Sequence, residues 1–480
     1  YLDTDEAEEF IDFLLSNERK SEALIVSDYV MSLHPNDSVL LIQRATFLVE
    51  LRRLEEARDI LKQISPFEDG NPDLYLAWGD LHVQDGDIET ALASYDKAVE
   101  CENIGTDNYY ETLLMIACRL NRDDQYAHCF KYVDLFLEGR PHDPDILFEM
   151  AYALDKVGKE QESIETYLEV LHYSPLSDIS WYNYALLCTR TGKLEEANVA
   201  FNRAIALNPD FPDAYVNYGN FLATSEKYLE AIAQYATYIS MVQDSETFDP
   251  SVYILVADCC FNWAYLEREK LIQEDTSDNN AWYQVPVPEP QRTMYEIALE
   301  IYKISYSFNC EPIRSLLQGA DISSLLGDNN TAIKLVEQAI KEEPSYQGSY
   351  FMLSCMYERN NDAEGTMDAF IRGLSINPKD VRTWIEFARL CLKYTESIKY
   401  TKKAVDLYRE VAFKNGYVPE TRFGDVFLMY LSGQPSKIIL EILTELRDIF
   451  PEIFCEACYD ASFREMMRKH PYIDLLNDNE

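Results

Sequence analysis

Apolar positions along the chain recur at the spacing of amphipathic helices. From Asp178 onward, Trp181, Tyr184, Ala185 and Cys188 fall at intervals of three, one and three residues, which is one face of a 3.6-residue period. A turn, Thr191-Gly192-Lys193, follows. A second helical stretch then carries Ala197, Phe201 and Ala204, and Pro209 stops it, because proline cannot continue a helix. The pattern returns unchanged at Leu316, Ala320, Ala332, Val336, Ala339 and Pro344. Units of about 34 residues start at Thr4, Ser38, Pro72, Asp107, Pro144, Asp178 and Pro212, with the unit from Asp107 stretched to about 37. A disturbed unit begins at Pro250, and the register resumes at Ile313, Gln347, Val381 and Pro419, so about twelve units fill nearly the whole chain.

Each unit predicts two helices and a tight turn. Gly86, Asn121, Gly158, Gly192, Gly327, Asn361 and Gly433 stand where the first helix must end in a left-handed residue. Small residues mark where the two helices cross closely. They are Ala45, Gly79, Ala151, Ala185, Gly219, Ala257, Ala320, Ser354 and Ala388 in the first helix, and Ala23, Ala57, Ala91, Ala197, Ala231 and Ala332 in the second. Pro35, Pro175, Pro209, Pro344 and Pro378 follow second helices. The pattern of Trp, Leu, Gly, Tyr, Ala, Phe, Ala and Pro from Asp178 to Phe211 resembles the tetratricopeptide repeat family. That resemblance implies an all-α solenoid of about twelve helix-turn-helix units in a right-handed superhelix, closed by a C-terminal capping helix. Tyr126, Tyr400 and Ile438 stand where the family has alanine.

Four segments are expected: an acidic array over 4–249, a disturbed unit over 250–312, a second array over 313–452, and a cap over 453–480. In the disturbed unit the first helix is expected to run to about Gln273. Glu274 to Arg292 then reads as an inserted surface loop, polar and proline-rich, with Trp282 and Tyr283 as anchors should it fold over a groove. Glu456 to Leu476 is expected to cover the apolar face of the last unit.

Charge narrows the partners. The chain has 480 residues with 84 acidic and 42 basic side chains, and its formal charge of -42 opposes nucleic acid and anionic bilayers. Hydrophobic content of 47% excludes a disordered acidic tail. No run of about eighteen apolar residues predicts membrane insertion. The 11 cysteines are scattered and odd in number, which fits a reducing compartment, and a cytoplasmic location is expected although the sequence does not begin with Met. Cys455 and Cys458 with distant His470 fall short of four converging zinc ligands, and no metal or cofactor is expected. No phosphate loop, zinc helix or nucleophile elbow occurs, so no enzyme activity is expected.

Function is then expected on the groove that the repeats line. The resemblance places groove-facing side chains at the second, fifth, sixth, ninth and twelfth residue of each unit. The fifth residues are Ile42, Leu76, Phe148, Tyr182, Val216, Ile254, Leu317, Phe351, Ile385 and Phe423, interrupted by Glu8 and Glu111. This apolar stripe reads either as packing between neighbouring helices or as a docking track. Around it lie Asp73, Asp80, Asp145, Glu149, Asp155, Asp213 and Asp258, then Arg314, Arg382 and Arg389. Residues 1–250 hold 18 basic and 48 acidic groups, net -30, whereas residues 351–450 hold 14 of each. Asn183 and Asn217 repeat one position in successive units, and such amides can grip a peptide backbone. Leu186, Asn220 and Gln318 complete the candidate groove. No Lys occupies a fifth position, which disfavours the family's carboxylate clamp.

The expected function is a non-catalytic scaffold binding a protein segment, basic or apolar and extended, with its centre from Tyr182 to Asp258. An accessory subunit recognising a folded surface is the alternative, and self-association is compatible with both.

Overall fold

The computed structural model describes residues 10–11, 13–14, 19–34, 37–245, 248–274, 287–394, 401–416, 418–469 and 472. Among these described residues there are 25 helices and no strand. They divide into two compact units, Tyr1–Asn217 and Tyr218–Glu480.

In the first unit the helices pair as Ser38–Glu50 with Leu54–Ile64, Pro72–Asp85 with Ile88–Glu100, Asp107–Arg122 with Tyr126–Leu137, Pro144–Lys156 with Glu160–Tyr173, and Asp178–Arg190 with Leu194–Leu207. Their first helices start at the expected unit boundaries. Each is held open at its N-terminus by a capping side chain: Asp37, Asn71, Thr106, Asp143 or Ser177 accepts from backbone N–H groups that lack an intrahelical partner. In the second unit the pairs are Val252–Glu274 with Gln291–Ser307, Pro312–Leu325 with Asn329–Glu342, Gln347–Arg359 with Ala363–Ile376, Val381–Tyr394 with Thr401–Lys414, and Pro419–Leu431 with Ser436–Ile449. Residues 275–286 of the expected insertion, Trp282 and Tyr283 included, lie outside the described residues.

Left-handed backbone occurs at Gly86, Gly158, Gly192, Gly327, Gly433 and Asn361, where the turns are expected. Asn121 differs. It is buried inside helix Asp107–Arg122, and Asp124 takes the left-handed conformation at φ 60. This unit has about three extra residues, and they displace the turn. The same shift accounts for Tyr126: it opens the second helix, and Cys129, fully buried, fills the place of the small crossing residue.

Close crossing of the paired helices is the repeated packing device. A Cβ added at Gly79 would stand 2.2 Å from the Tyr95 ring, and one at Gly219 would stand 2.5 Å from Tyr235. Glycine at these crossings admits a tyrosine where other units have Ala against Phe, as in Ala185 and Phe201.

The C-terminal cap begins at Pro451, earlier than expected, and consists of two helices, Pro451–Tyr459 and Ala461–Met467. Phe454, Phe463, Met466 and Met467 enter one buried cluster with Phe423, Phe427 and Leu443. His470 lies outside the described residues.

Candidate functional site

The apolar stripe along the first helices is not uniform. Ile42, Leu76, Ile254, Ile385 and Phe423 are buried, so half of the expected docking track is helix-to-helix core. Ile254, with 2% of its surface exposed, is therefore removed from the candidate groove. Phe148, Tyr182 and Val216 in the first unit, and Leu317 and Phe351 in the second, are half-exposed. Phe148 rests edge-on against Tyr167, and Phe351 lies on Phe370 with ring centroids 4.8 Å apart.

The polar positions divide in the same way. Asp80, 1% exposed, accepts from the hydroxyl of Tyr95 and pairs with Arg119. Asp155 pairs with Arg190, Asp321 with Arg359 at 3.6 Å, and Glu358 with Lys393. Each carboxylate stands at the ninth or twelfth place of one unit, and each of those cations at the thirteenth place of the next. The sequence reading missed this inter-unit ladder, although its signal, a basic thirteenth residue at Arg119, Arg190, Arg359 and Lys393, was present. Asp258 is likewise committed, accepting from the Tyr302 hydroxyl and pairing with Arg314. Burial raises the carboxyls of Asp80, Asp258 and Asp321 above the usual range, against the opposing pull of their arginines. These groups do not form a free acidic wall.

Other expected groove residues are also engaged. Asn220 accepts from Tyr235 at 2.8 Å. Glu149 accepts from the amide of Asn121 at 2.7 Å and from the thiol of Cys118 at 3.2 Å. Arg382 is exposed and lies 3.7 Å from Asp380. Arg389 pairs with Glu386 at 2.8 Å and donates to Ser462 in the cap.

Tyr182 forms the clearest node. Its ring lies 4.8 Å from that of Phe211, and its hydroxyl oxygen accepts from the Asn217 amide at 2.9 Å. Asn217 donates also to the Asp213 carbonyl, which fixes the amide between two helices. Burial and the Asp213 carboxylate push the Tyr182 phenol up to about 12, so its proton stays in place at neutral pH. A tyrosine hydroxyl can donate as well as accept, so Tyr182 retains a proton to donate. Asn183 and Leu186, half-exposed on the same helix, and exposed Asp213 adjoin it in the chain; Gln318 is half-exposed in the second unit. Asn183 and Asn217 do not behave as two equal rungs, because Asn217 spends its amide on Tyr182.

Among the described residues no group of three or more His, Cys, Asp or Glu side chains could hold a metal ion. None of their helices is long and apolar enough to cross a membrane.

Comparison with known proteins places this architecture. Residues 185–225 match the family model described as TPR repeat. The human Protein O-mannosyl-transferase TMTC3 is 24% identical over 233 residues, which is 48% of this chain and 25% of that protein. Tetratricopeptide repeat-containing protein trd-1 of Caenorhabditis elegans is 24% identical over 201 residues, 42% of this chain and 25% of that protein. The chain thus spans about a quarter of the length of these curated relatives. Among solved structures, YrrB, described as a TPR protein with an unusual peptide-binding site, is 14% identical with a TM-score of 0.32, covering 45% of this chain and 94% of its own. A tetratricopeptide repeat protein from Parabacteroides merdae is 16% identical with a TM-score of 0.34, covering 60% of this chain and 99% of its own.

Proposed function

We propose that the chain is a non-catalytic interaction scaffold that binds a protein segment along the first-helix faces of its first unit, from Phe148 to Asn217. The observation that carries this reading is three consecutive fifth-position residues, Phe148, Tyr182 and Val216, left half-exposed, while their counterparts Ile42 and Leu76 are buried. Apolar side chains offered in series, flanked by a phenol proton and the Asn183 amide, suit an extended segment: the apolar groups supply burial and the polar ones bond its backbone. The name of the human relative speaks of mannosyl transfer, but the match spans a quarter of that protein. A phenol held at about 12 is a poor proton shuttle at neutral pH, so Tyr182 is assigned to binding.

The test is affinity capture from source-cell lysate with the wild-type chain beside Tyr182→Ala/Asn217→Ala, at low and high salt. A partner captured by the wild type and lost by the variant supports the reading. A partner held equally by both overturns it.

A folded partner surface is favoured by a different feature. Phe67 is 84% exposed, Ile104 87% and Leu176 78%, each in a loop that joins one helix pair to the next. A linear peptide that competes with the captured partner argues for the first reading; a partner indifferent to peptide and lost on Phe67→Ser/Ile104→Ser argues for this one.

A further inference from the structure

Within the first unit, one cavity of about 310 Å³ opens between helices Asp107–Arg122, Pro144–Lys156, Glu160–Tyr173 and Asp178–Arg190. Leu114, Phe148, Val170 and Ile179 give it apolar walls. Its polar groups include Asp145 and Glu149, four residues apart on helix Pro144–Lys156 and so on one face of it. Two like charges at this spacing oppose each other unless something cationic lies between them.

The carboxylates here differ from those elsewhere in the unit. Asp80 and Asp155 each meet an arginine of the following repeat. Among the described residues, Glu149 meets only neutral donors, the Asn121 amide and the Cys118 thiol, and Asp145, exposed, forms no ion pair. Local desolvation and the Glu149 carboxylate raise the thiol of Cys118, an exposed residue, above its ordinary value, so it remains a neutral donor and brings no charge of either sign. Asn121 fixes Glu149 from the side chain at 2.7 Å and also donates to the Glu149 carbonyl at 2.9 Å, which holds the carboxylate in place.

We infer that this cavity takes a single lysine or arginine side chain from the bound segment, its aliphatic stem between Phe148 and Ile179 and its cationic head on Asp145 and Glu149. Long basic side chains combine those two surfaces, and no other residue type does. The net charge of -30 over residues 1–250 draws such a segment in. This rests on the proposed binding face above and adds to it the chemistry of one subsite.

The test uses a synthetic pool of nonapeptides, eight positions randomised and the central one fixed as Lys, Arg, norleucine or Glu, selected on the immobilised full chain. Expected is at least tenfold enrichment of Lys and Arg over norleucine, lost in Asp145→Asn/Glu149→Gln and kept in Glu195→Gln/Glu196→Gln, which removes the same charge from an exposed second helix. Equal enrichment of norleucine, with binding still abolished by Tyr182→Ala/Asn217→Ala, overturns the cationic subsite and leaves the binding face standing. Enrichment of Lys and Arg that the Asp145/Glu149 variant retains overturns the subsite in favour of diffuse charge. No enrichment of any peptide overturns both.

Discussion

The fifth position of a repeat behaves differently in two stretches of the chain. At Ile385 and Phe423 the side chain is fully buried, and the cap explains the latter: Phe454 and Phe463 meet the Phe423 ring at 6.4 and 6.3 Å. Helix Val381–Tyr394 also touches cap helix Pro451–Tyr459, and Arg389 donates to Ser462. At Phe148, Tyr182 and Val216 the same position, with the same apolar character, stays half-exposed. The lesson is that the side-chain type fixes which face a residue occupies, while its burial depends on what lies across that face. In the last repeats the chain supplies its own cover, a helical segment with aromatic anchors. At Phe148, Tyr182 and Val216 the proposed bound segment would supply that cover.

The largest expected effect breaks this comparison at its buried end. Phe423→Ala removes a ring from a closed cluster and should cost about 3–5 kcal/mol, whereas Phe148→Ala should cost about 1 kcal/mol or less. A repeat array need not unfold in one step, so hydrogen exchange of helices Pro419–Leu431 and Pro451–Tyr459 is the appropriate measurement. Equal loss of protection for both variants would show that Phe148 is core as well.

Next is the helix crossing, which both units share. Gly79→Ala and Gly219→Ala each force a Cβ into a tyrosine ring and should cost about 1–3 kcal/mol by urea unfolding. Tyr95→Leu and Tyr235→Leu should relieve part of that cost in the respective double variants. A neutral Gly79→Ala would mean that the Tyr95 ring moves freely.

These crossings were legible in sequence because small residues at a fixed period have few explanations, and the turns were legible because left-handed backbone selects glycine. The candidate site was legible only in part. Ile254 and Phe148 have the same position in a unit, and nothing local tells buried from half-exposed, because the difference comes from neighbours far along the chain. Asp258 and Asn220 looked like ligand groups, yet the hydroxyls of Tyr302 and Tyr235 claim them. A buried phenol needs an acceptor, and pairing each tyrosine with an acid or amide in the neighbouring helix would have found these bonds. Asn121 was misread because the three extra residues of its unit moved the turn.

A smaller effect sharpens the exposed end. Tyr182→Phe keeps the ring against Phe211 and removes only the hydroxyl, so stability should change by about 1 kcal/mol or less. Binding of the segment should weaken about three- to tenfold, read by titrating a captured partner, because the phenol proton and the Asn217 bond are lost together. If the affinity of Tyr182→Phe equals wild type while Tyr182→Ala loses it, the ring alone matters and the hydroxyl serves only the fold.

The smallest effect concerns pH, and it sets the buried Asp80 and the half-buried Asp258 and Asp321 against the exposed carboxylates. Asp80 in the first unit, and Asp258 and Asp321 in the second, have carboxyls raised by burial. A folded value above the unfolded one means that the folded chain binds protons more readily. Stability from these groups is therefore present at low pH and lost as pH rises through the raised values. Lowering pH from 7 through these raised values should therefore raise the thermal midpoint. The net charge of -42 pushes the same way, since acid relieves repulsion, but salt screens repulsion between exposed groups and reaches buried ones poorly. The rise should thus survive in about 0.5 M salt and shrink in Asp80→Asn, whose amide cannot titrate. A midpoint that falls on acidification at high salt would mean that Arg119 holds Asp80 below its ordinary value, and that the ladder between repeats is a net source of stability at neutral pH.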